Sequence, residues 1–272
     1  MSTKLVTRNY IDTTTLTANT SVNPNNDAML DTLPLDNVKL VSKSLVARSK
    51  NADTLSITGV LLEAKNVDSF IICGYNFTEG TQYQLALYGD SDQQFLLWST
   101  GLQTITASNA GEDIYYGISY LPVYFTEMAV YSFKLTLINS TTNPLDYFQI
   151  YRLCFGNSES TSVGAALNHR LTYNDKSLQY RTESGTLRTD TIKKNKQIEF
   201  NLNNILESER ADLVRTLANV GKQDEFFIST FDSSCDSDKD KAYRGLVKLI
   251  RVPRYTEYAY GIYNTKILVE EV

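Results

Sequence analysis

The chain has 272 residues, of which 42% are hydrophobic and 21% charged, and its formal net charge at pH 7 is −5. This composition excludes an intrinsically disordered chain, and the acidic balance argues against nucleic-acid binding, which needs a basic surface. The length is about twice that of a common domain and predicts two domains. Tyrosine occurs 18 times, which favours strands and partly buried interfaces, because the ring packs while the hydroxyl stays hydrogen-bonded.

The cysteines and the N-terminus predict where the chain folds. Cys73, Cys154 and Cys235 lie far apart and form no metal-ligand spacing. An odd count fits thiols that are kept reduced, so we expect folding in a reducing cytoplasm. The first twenty residues lack the apolar segment of a signal peptide, and no run approaches the ~18 apolar residues of a membrane-spanning helix.

Short alternating segments with turn residues between them run through the first half and predict a β-sandwich. In chain order, the predicted strands are residues 38–41, 45–47, 54–61, 69–73, 83–88, 95–98, 123–125, 130–138 and 147–155. Residues 67–98 form the centre of this pattern, because a nearly continuous apolar run precedes two further strands.

The second half begins with the polar segment 156–161, which suits a domain boundary. Strands are predicted around residues 171–173, 179–181, 197–202, 225–230, 243–252 and 262–269. Between them, residues 205–220 predict a helix, with the apolar stripe Leu206, Leu213, Val214, Leu217 and Val220. Asn204 and Ser208 compete as N-cap, and Gly221 suits the residue after the C-terminus. The prediction is a mainly β protein, with a sandwich at 1–155 and an α+β, barrel-like domain at 156–272.

No arrangement of residues predicts an enzyme. The acidic run Asp232, Asp236, Asp238 and Asp240 lacks the glycine and the final glutamate of an EF-hand, which favours a solvated loop without an ion. His169 is the single histidine, and no nucleophile-elbow motif accompanies it, so we interpret it as a surface or loop residue. Pairs of acidic residues such as Glu112–Asp113 could serve a glycosidase, but acidic residues in turns are usually only solvated. We expect no cofactor and no bound metal.

A group of aromatic residues offers candidate binding positions. These are Tyr115, Tyr116, Tyr120, Tyr124 and Phe125. Aromatic rings at a sandwich edge can stack on sugars, and they are equally common in sandwich cores and protein interfaces. The sequence favours the core and interface interpretation, and the sugar site remains its alternative.

The first half resembles the galactose-binding-like jelly roll at the N-terminus of many bacteriophage and prophage tail proteins. The residues that carry this resemblance are, in order, Asn9-Tyr10-Ile11-Asp12, Asn23-Pro24, Asp53-Thr54-Leu55-Ser56-Ile57, and the run from Val67 to Thr78. The second half looks like the domain that follows in those proteins, through the segments 151–156, 200–202, 208–213, 226–228 and 243–246.

The resemblance implies a non-enzymatic structural component of a tailed-phage virion, in the tail tip, baseplate or a tail-attached assembly. The implied partners are other phage tail proteins and further copies of the chain in a homo-oligomeric ring, built in the host cytoplasm. The resemblance also implies that residues 74–77 form a corner of the jelly roll, with Tyr75 and Asn76 as its packing and hydrogen-bonding residues. The alternative function is a carbohydrate-binding module that recognises host surface glycans.

Overall fold

The computed structural model describes residues 3–20, 28–42, 44–51, 53–106, 119–139, 145–162, 169–175, 177–190, 195–231 and 237–272. The chain is mainly β and divides into two compact units. One is Val6–Ser158, and the other joins the chain up to Leu5 with Glu159–Val272. The sequence placed the boundary after residue 155 and assigned the whole N-terminus to the first domain. The structure differs because the first strand belongs to the sheet of the C-terminal unit.

Strands β1 to β9 are Lys4–Val6, Thr15–Thr20, Ala47–Arg48, Thr54–Tyr75, Gln82–Tyr88, Leu96–Ser99, Gln103–Thr104, Tyr120–Ile138 and Gln149–Gly156. Strands β10 to β18 are Ser158–Ser160, Arg170–Asn174, Leu178–Arg181, Leu187–Asp190, Asn195–Leu206, Phe226–Ser229, Arg244–Leu249, Tyr255–Ala259 and Ile262–Glu271. The α-helices are α1, Glu207–Val220, and α2, Ser237–Ala242; two 3-10 helices span Tyr10–Thr13 and Leu35–Lys39.

Two long antiparallel strands, β4 and β8, organise the N-terminal unit. They pair along their whole length, with register shifts between Val60 and Lys65 and between Val67 and Ser69. Before the first shift β4 also pairs with β2, whereas after the second it pairs with β9. The two strands therefore pass through two layers, one with β2, β5, β6 and β7, the other with β3 and β9.

Aromatic side chains join the two layers into a sandwich. Phe133, on the half of β8 that pairs with β5, lies 5.2 Å from the ring of Phe70 and 5.2 Å from that of Phe155. Phe70 and Phe155 sit opposite each other in the second layer. All three rings are fully buried, so the core of this unit lies between the layers, as the sequence predicted.

Several predicted strand boundaries in this unit are wrong. Residues 54–61 and 69–73 belong to the single strand β4, and 123–125 and 130–138 to the single strand β8. Residues 62–66 contain no glycine or proline, so bulges turn the strand between layers without ending it. Residues 38–41 were predicted as a strand, but a 3-10 helix follows Pro34 and ends at Lys39.

The glycine at the end of β9 lies against another stretch of backbone. A Cβ on Gly156 would stand 2.1 Å from the carbonyl oxygen of Arg8. We expect Gly156→Ala to lower the free energy of unfolding by about 1–3 kcal/mol, because backbone atoms cannot rotate out of the way. Urea denaturation followed by circular dichroism measures this change.

Gly89→Ala is the matched control for that substitution. Its Cβ would stand 2.7 Å from Cδ1 of Phe95, whose exposed ring can swing into solvent. We therefore expect a smaller loss of stability at Gly89 than at Gly156. Equal losses in the two variants would contradict the close backbone approach at residue 156.

The main sheet of the C-terminal unit carries helix α1 on one face. The strands lie in the order β10-β1-β15-β16-β18-β14-β11, and β17 pairs with β18. Helix α1 buries Leu213, Leu217 and Val220 against the sheet residues Phe200 and Ile267. Gly221 follows the helix with φ 56° and donates its N–H to the carbonyl oxygen of Leu217, so the predicted C-terminus is confirmed.

The predicted start of the helix is wrong by two residues. β14 continues through Leu206, which pairs with Ile262 of β18, and the helix begins at Glu207. Neither Asn204 nor Ser208 is the N-cap; Leu206 holds that position without a side-chain hydrogen bond. Strand pairing with β18 therefore outweighs the local capping preference of the sequence.

A second helix lies where the sequence predicted a solvated acidic loop. Helix α2 buries Asp240, whose carboxylate accepts a hydrogen bond of 2.8 Å from Arg244 and one of 2.9 Å from Ser229. Asp232 and Asp236 lie outside the described residues. The loop interpretation is wrong for Asp240, because the residue lies in a helix and its carboxylate is buried against Arg244, four residues further on, and Ser229 of β15.

Candidate functional site

The predicted aromatic positions do not share one environment. Tyr115 and Tyr116 lie outside the described residues. Tyr120 is 2% exposed and therefore presents no ring face to a ligand. Tyr124 and Phe125 are half-buried on β8. Phe125 packs with Trp98 of β6, with ring centroids 5.0 Å apart and planes 34° from each other.

The corner after β4 has the packing and hydrogen bonds that the resemblance implied. The Tyr75 and Phe77 rings stack 4.6 Å apart. The Asn76 amide donates to the carbonyl oxygen of Tyr147 at 2.9 Å and accepts from the backbone N–H of Gln149 at 2.7 Å. Both polar ends of Asn76 are occupied by the fold itself, so this corner is structural.

The N-terminal motif residues are also engaged by the fold. Asn9 donates to the carbonyl oxygen of Leu153 at 2.9 Å, and its side-chain oxygen accepts from the backbone N–H of Phe155 at 3.0 Å. Asp12 binds Arg152 through both carboxylate oxygens, at 2.8 and 3.1 Å. These contacts fix the first 3-10 helix on β9.

His169 is not an ordinary surface residue. Its ring packs edge-to-face with Phe231, at 5.0 Å, and with Tyr243, at 4.6 Å. Its Nδ1 is buried without a hydrogen-bond partner among the described atoms. His169 lies in a loop, as the sequence predicted, but it is half-buried against aromatic neighbours that lie more than sixty residues further along the chain.

Groups of metal ligands and membrane-spanning helices are not found in the described part of the chain. No three His, Cys, Asp or Glu side chains there come together as a metal site. None of the described helices has the length and hydropathy to cross a membrane. Cys73 and Cys154 are buried, and neither is in a disulfide with another described residue.

Among the described residues, the most exposed aromatic side chains stand at one end of the C-terminal sheet. Tyr260 is 101% exposed at the turn between β17 and β18, and Tyr258 is 75% exposed just before it. Leu206, Ile262 and Ala259 lie directly opposite one another across β14, β18 and β17. We call these five residues the tyrosine tip.

The register shows which way the tyrosine tip faces. Residues that are directly opposite on neighbouring strands project to the same face of a sheet. In the adjacent row, Ile205 is fully buried in the core and Tyr263 packs against it. The row of Leu206, Ile262 and Ala259 therefore projects to the other face, and Leu206 is more than half exposed there.

Charged residues lie at the same end of the sheet, on the face of Tyr263, which is opposite the face of the row Leu206, Ile262 and Ala259. Arg210 of α1 donates from Nε to Glu207 at 2.7 Å, and its guanidinium lies 4.7 Å from the Tyr263 ring centroid. The hydrogen bond from Arg210 lowers the pKa of the Glu207 carboxyl to about 2, so the pair stays ionised at neutral pH. The Glu257 carboxylate accepts the backbone N–H of Gly261 at 3.2 Å and fixes the turn.

Sequence reasoning missed the tyrosine tip. Its signal was the tyrosine spacing in residues 255–263, where Tyr255, Tyr258, Tyr260 and Tyr263 follow one another closely. A tyrosine-rich segment of this kind predicts a strand, but the sequence does not show which of its tyrosines project into solvent. That depends on the bulge between Glu257 and Ala259, which the sequence does not mark.

Comparisons with known proteins concern the fold only. No protein-family model and no curated protein sequence matches the chain. Among solved structures, the chain is similar to chitosan-binding module 1 of a chitosanase/glucanase from Paenibacillus sp. IK-5, with 13% identity, TM-score 0.39, and coverage of 54% of this chain and 98% of that one. It is also similar to the family 32 carbohydrate-binding module of C. perfringens NanJ, solved with galactose, with 15% identity, TM-score 0.39, and coverage of 58% and 100%. The sheet geometry, and not this similarity, defines the fold described above.

Proposed function

We propose that the chain is a non-catalytic structural component of a tailed-phage virion, and that its tyrosine tip binds a neighbouring tail protein. The resemblance of the sequence to phage tail proteins supports a place in the virion. The tyrosine tip is the observation that carries the contact, because two tyrosines with 75% and 101% exposure stand at the same sheet end as the exposed Leu206.

Energetics favour a protein partner for this surface. Tyrosine and arginine are enriched among the few residues that dominate binding energy at protein interfaces, and each such residue contributes about 2 kcal/mol or more. Tyr258 and Tyr260 bring the first of these residue types, strongly exposed, to one end of the sheet. Because the turn is held by Glu257, little ordering entropy is lost when this surface docks.

A double substitution in the phage or prophage genome tests this contact. We expect Tyr258→Ser with Tyr260→Ser to reduce incorporation of the chain into purified particles about thirtyfold or more, since it removes two interface anchors. The exposed rings contact little in the chain itself, so the melting temperature of the purified variant should match the original. Quantitative mass spectrometry of gradient-purified particles measures incorporation.

Leu62→Ser is the matched control for this experiment. Leu62 is an exposed apolar side chain of the N-terminal unit, outside the tyrosine tip. Normal incorporation of the control with loss of the double variant supports the proposal. Normal incorporation of the double variant would overturn it.

A second candidate function is glycan recognition by the N-terminal sandwich. The observation that favours it is the Trp98–Phe125 pair, because both rings are half-exposed and lie 5.0 Å apart. Aromatic faces of this kind can stack on sugar rings. A glycan array probed with the purified chain tests it, with Trp98→Ala as the variant. Hits that Trp98→Ala abolishes support glycan binding, and an array without hits contradicts it.

A further inference from the structure

We propose that Arg48 of β3 anchors a further binding site, which takes the carboxylate of an acidic side chain from a partner protein. Arg48 belongs to the N-terminal unit, whereas the tyrosine tip belongs to the C-terminal unit. The inference depends neither on the tyrosine tip nor on a place in the virion. Its test uses the purified chain with small carboxylates, so it can fail without affecting the proposed function.

Arg48 differs from the other arginines that are not exposed. Among the described residues, four arginines are buried or half-buried. Three of them donate to a carboxylate at 2.7–2.8 Å, in the pairs Arg152–Asp12, Arg210–Glu207 and Arg244–Asp240. The fourth is Arg48, which forms no ion pair with a described Asp or Glu. The undescribed residues nearest in sequence to Arg48 and to its contact Tyr147 are 43, 52 and 140–144, and they include no acidic residue.

The fold holds the Arg48 side chain in a defined position. Its backbone pairs with Gln149 of β9, and it also bonds with the backbone of Leu30 and Leu33. The guanidinium carbon lies 4.2 Å from the centroid of the Tyr147 ring, and Nη2 donates to Oε1 of Gln149 at 2.7 Å. A side chain that is ordered before binding loses little further entropy when a ligand arrives.

Most of the hydrogen-bonding capacity of Arg48 is left unused by the described part of the fold. A guanidinium carries five N–H donors, and the bond to Gln149 takes one of them. Nε is buried without a hydrogen-bond partner among the described atoms. Because the side chain is half-buried, water solvates its charge incompletely, and an ion pair gains more energy there than at an open surface. The position therefore favours an anion.

A carboxylate is the anion that the chain itself places on such guanidinium groups. The planar fork of N–H donors matches the two oxygens of a carboxylate, and charge-assisted bonds of this kind are stronger than neutral ones. Arg152 shows the arrangement, since its Nη1 and Nη2 donate to the two oxygens of Asp12 at 2.8 and 3.1 Å. At Arg48 the carboxylate has to come from another molecule.

The surroundings of Arg48 favour a protein as the source of that carboxylate over a sugar acid. Arginine and tyrosine are enriched among the residues that dominate binding energy at protein interfaces, and Arg48 and Tyr147 bring both types together. The guanidinium also covers one face of the Tyr147 ring, so this face is not open for stacking on a sugar ring.

An NMR titration of the purified chain tests the site. Acetate, the side-chain analogue of aspartate, is added in place of sodium chloride at constant ionic strength, and the Nε–H signal of Arg48 and the backbone N–H signal of Gln149 are followed. We expect both signals to shift and saturate, at an acetate concentration about tenfold lower than for the Nε–H signal of the exposed Arg8. Glucuronate is titrated in parallel as a sugar acid, and tighter binding of glucuronate than of acetate would overturn the choice of an acidic side chain.

Two substitutions at Arg48 separate charge from geometry. Arg48→Gln should abolish the shift at Gln149, and Arg48→Lys should weaken acetate binding about tenfold, because an ammonium group keeps the charge but lacks the planar fork. Arg8→Gln removes the same charge from an exposed position of the same unit and should leave binding unchanged. Melting temperatures show which variants are folded, and the titration of the original chain is decisive even if Arg48→Gln does not fold. An Arg48 signal that does not move, or a Gln149 shift that persists in folded Arg48→Gln, would overturn the proposal.

Discussion

Asp12→Ala is expected to lower the free energy of unfolding of the N-terminal unit by about 3–5 kcal/mol, the range measured when one partner of a buried ion pair is removed. The Arg152 side chain is 2% exposed, whereas Asp12 is 43% exposed. Without Asp12, the guanidinium stays buried and loses the carboxylate that faces it through two hydrogen bonds. Because the charge that remains is the buried one, Asp12→Ala should lower the free energy of unfolding more than the partial exposure of Asp12 alone would suggest.

Arg152→Met is the informative second variant of this pair. It removes the buried charge, keeps much of the side-chain volume, and leaves a carboxylate that solvent can reach. We therefore expect Arg152→Met to cost less than Asp12→Ala, although it also removes a 3.2 Å hydrogen bond to the Val38 carbonyl oxygen. Urea denaturation measures both values.

Asp36→Ala serves as the control for Asp12→Ala. Asp36 is exposed and pairs with Lys39 at 2.7 Å on the surface, so its loss should cost less than about 1 kcal/mol. If Asp12→Ala lowers the free energy of unfolding as little as Asp36→Ala does, the fold does not need the Asp12 carboxylate to stabilise the buried Arg152 guanidinium.

Glu271→Gln is expected to destabilise the C-terminal unit by about 3–5 kcal/mol, because it leaves a buried ammonium without its negative partner. Lys196 is 1% exposed, and its Nζ lies 3.5 Å from Oε1 of Glu271. The same Nζ donates a 2.9 Å hydrogen bond to the carbonyl oxygen of Arg244. The ion pair thus joins β14, β16 and β18 at the end of the core.

Removing both charges separates the effect of the pair from that of each charge. Lys196→Met combined with Glu271→Gln should recover most of the stability that Glu271→Gln loses, since neither charge of this pair remains. Lys266→Met, in the more exposed pair with Glu199, is the control and should cost less than about 1 kcal/mol. A double variant that is less stable than Glu271→Gln alone would contradict this interpretation.

The positions of the strands were largely predictable from the sequence, whereas the passage of single strands through both layers was not. Alternation marked residues 54–61 and 69–73 correctly as strand, because period-two patterns depend only on which residues face the core. That both belong to β4 depends on bulges and on pairing with β2 and β9, which are contacts distant in sequence. The placement of β1 beside strands of the C-terminal unit follows from the same kind of long-range pairing.

The candidate site was less predictable than the fold, for a related physical reason. Tyr120 and Tyr260 look alike in the sequence, yet one is buried and the other fully exposed. The difference arises because Tyr120 pairs with the buried Cys73 of β4, whereas Tyr260 occupies a turn at the end of a sheet. Residue type indicates what a side chain can bind, and only the register shows whether it is available.

The protein composition of purified tailed particles tests the proposed function most directly. Particles released by the cells that encode this chain can be purified on a density gradient and analysed by quantitative mass spectrometry. The proposal predicts the chain in these particles at several copies each, in a fixed ratio to the other tail proteins. Its absence from intact particles, with the chain left in the soluble fraction, would contradict a structural role in the virion.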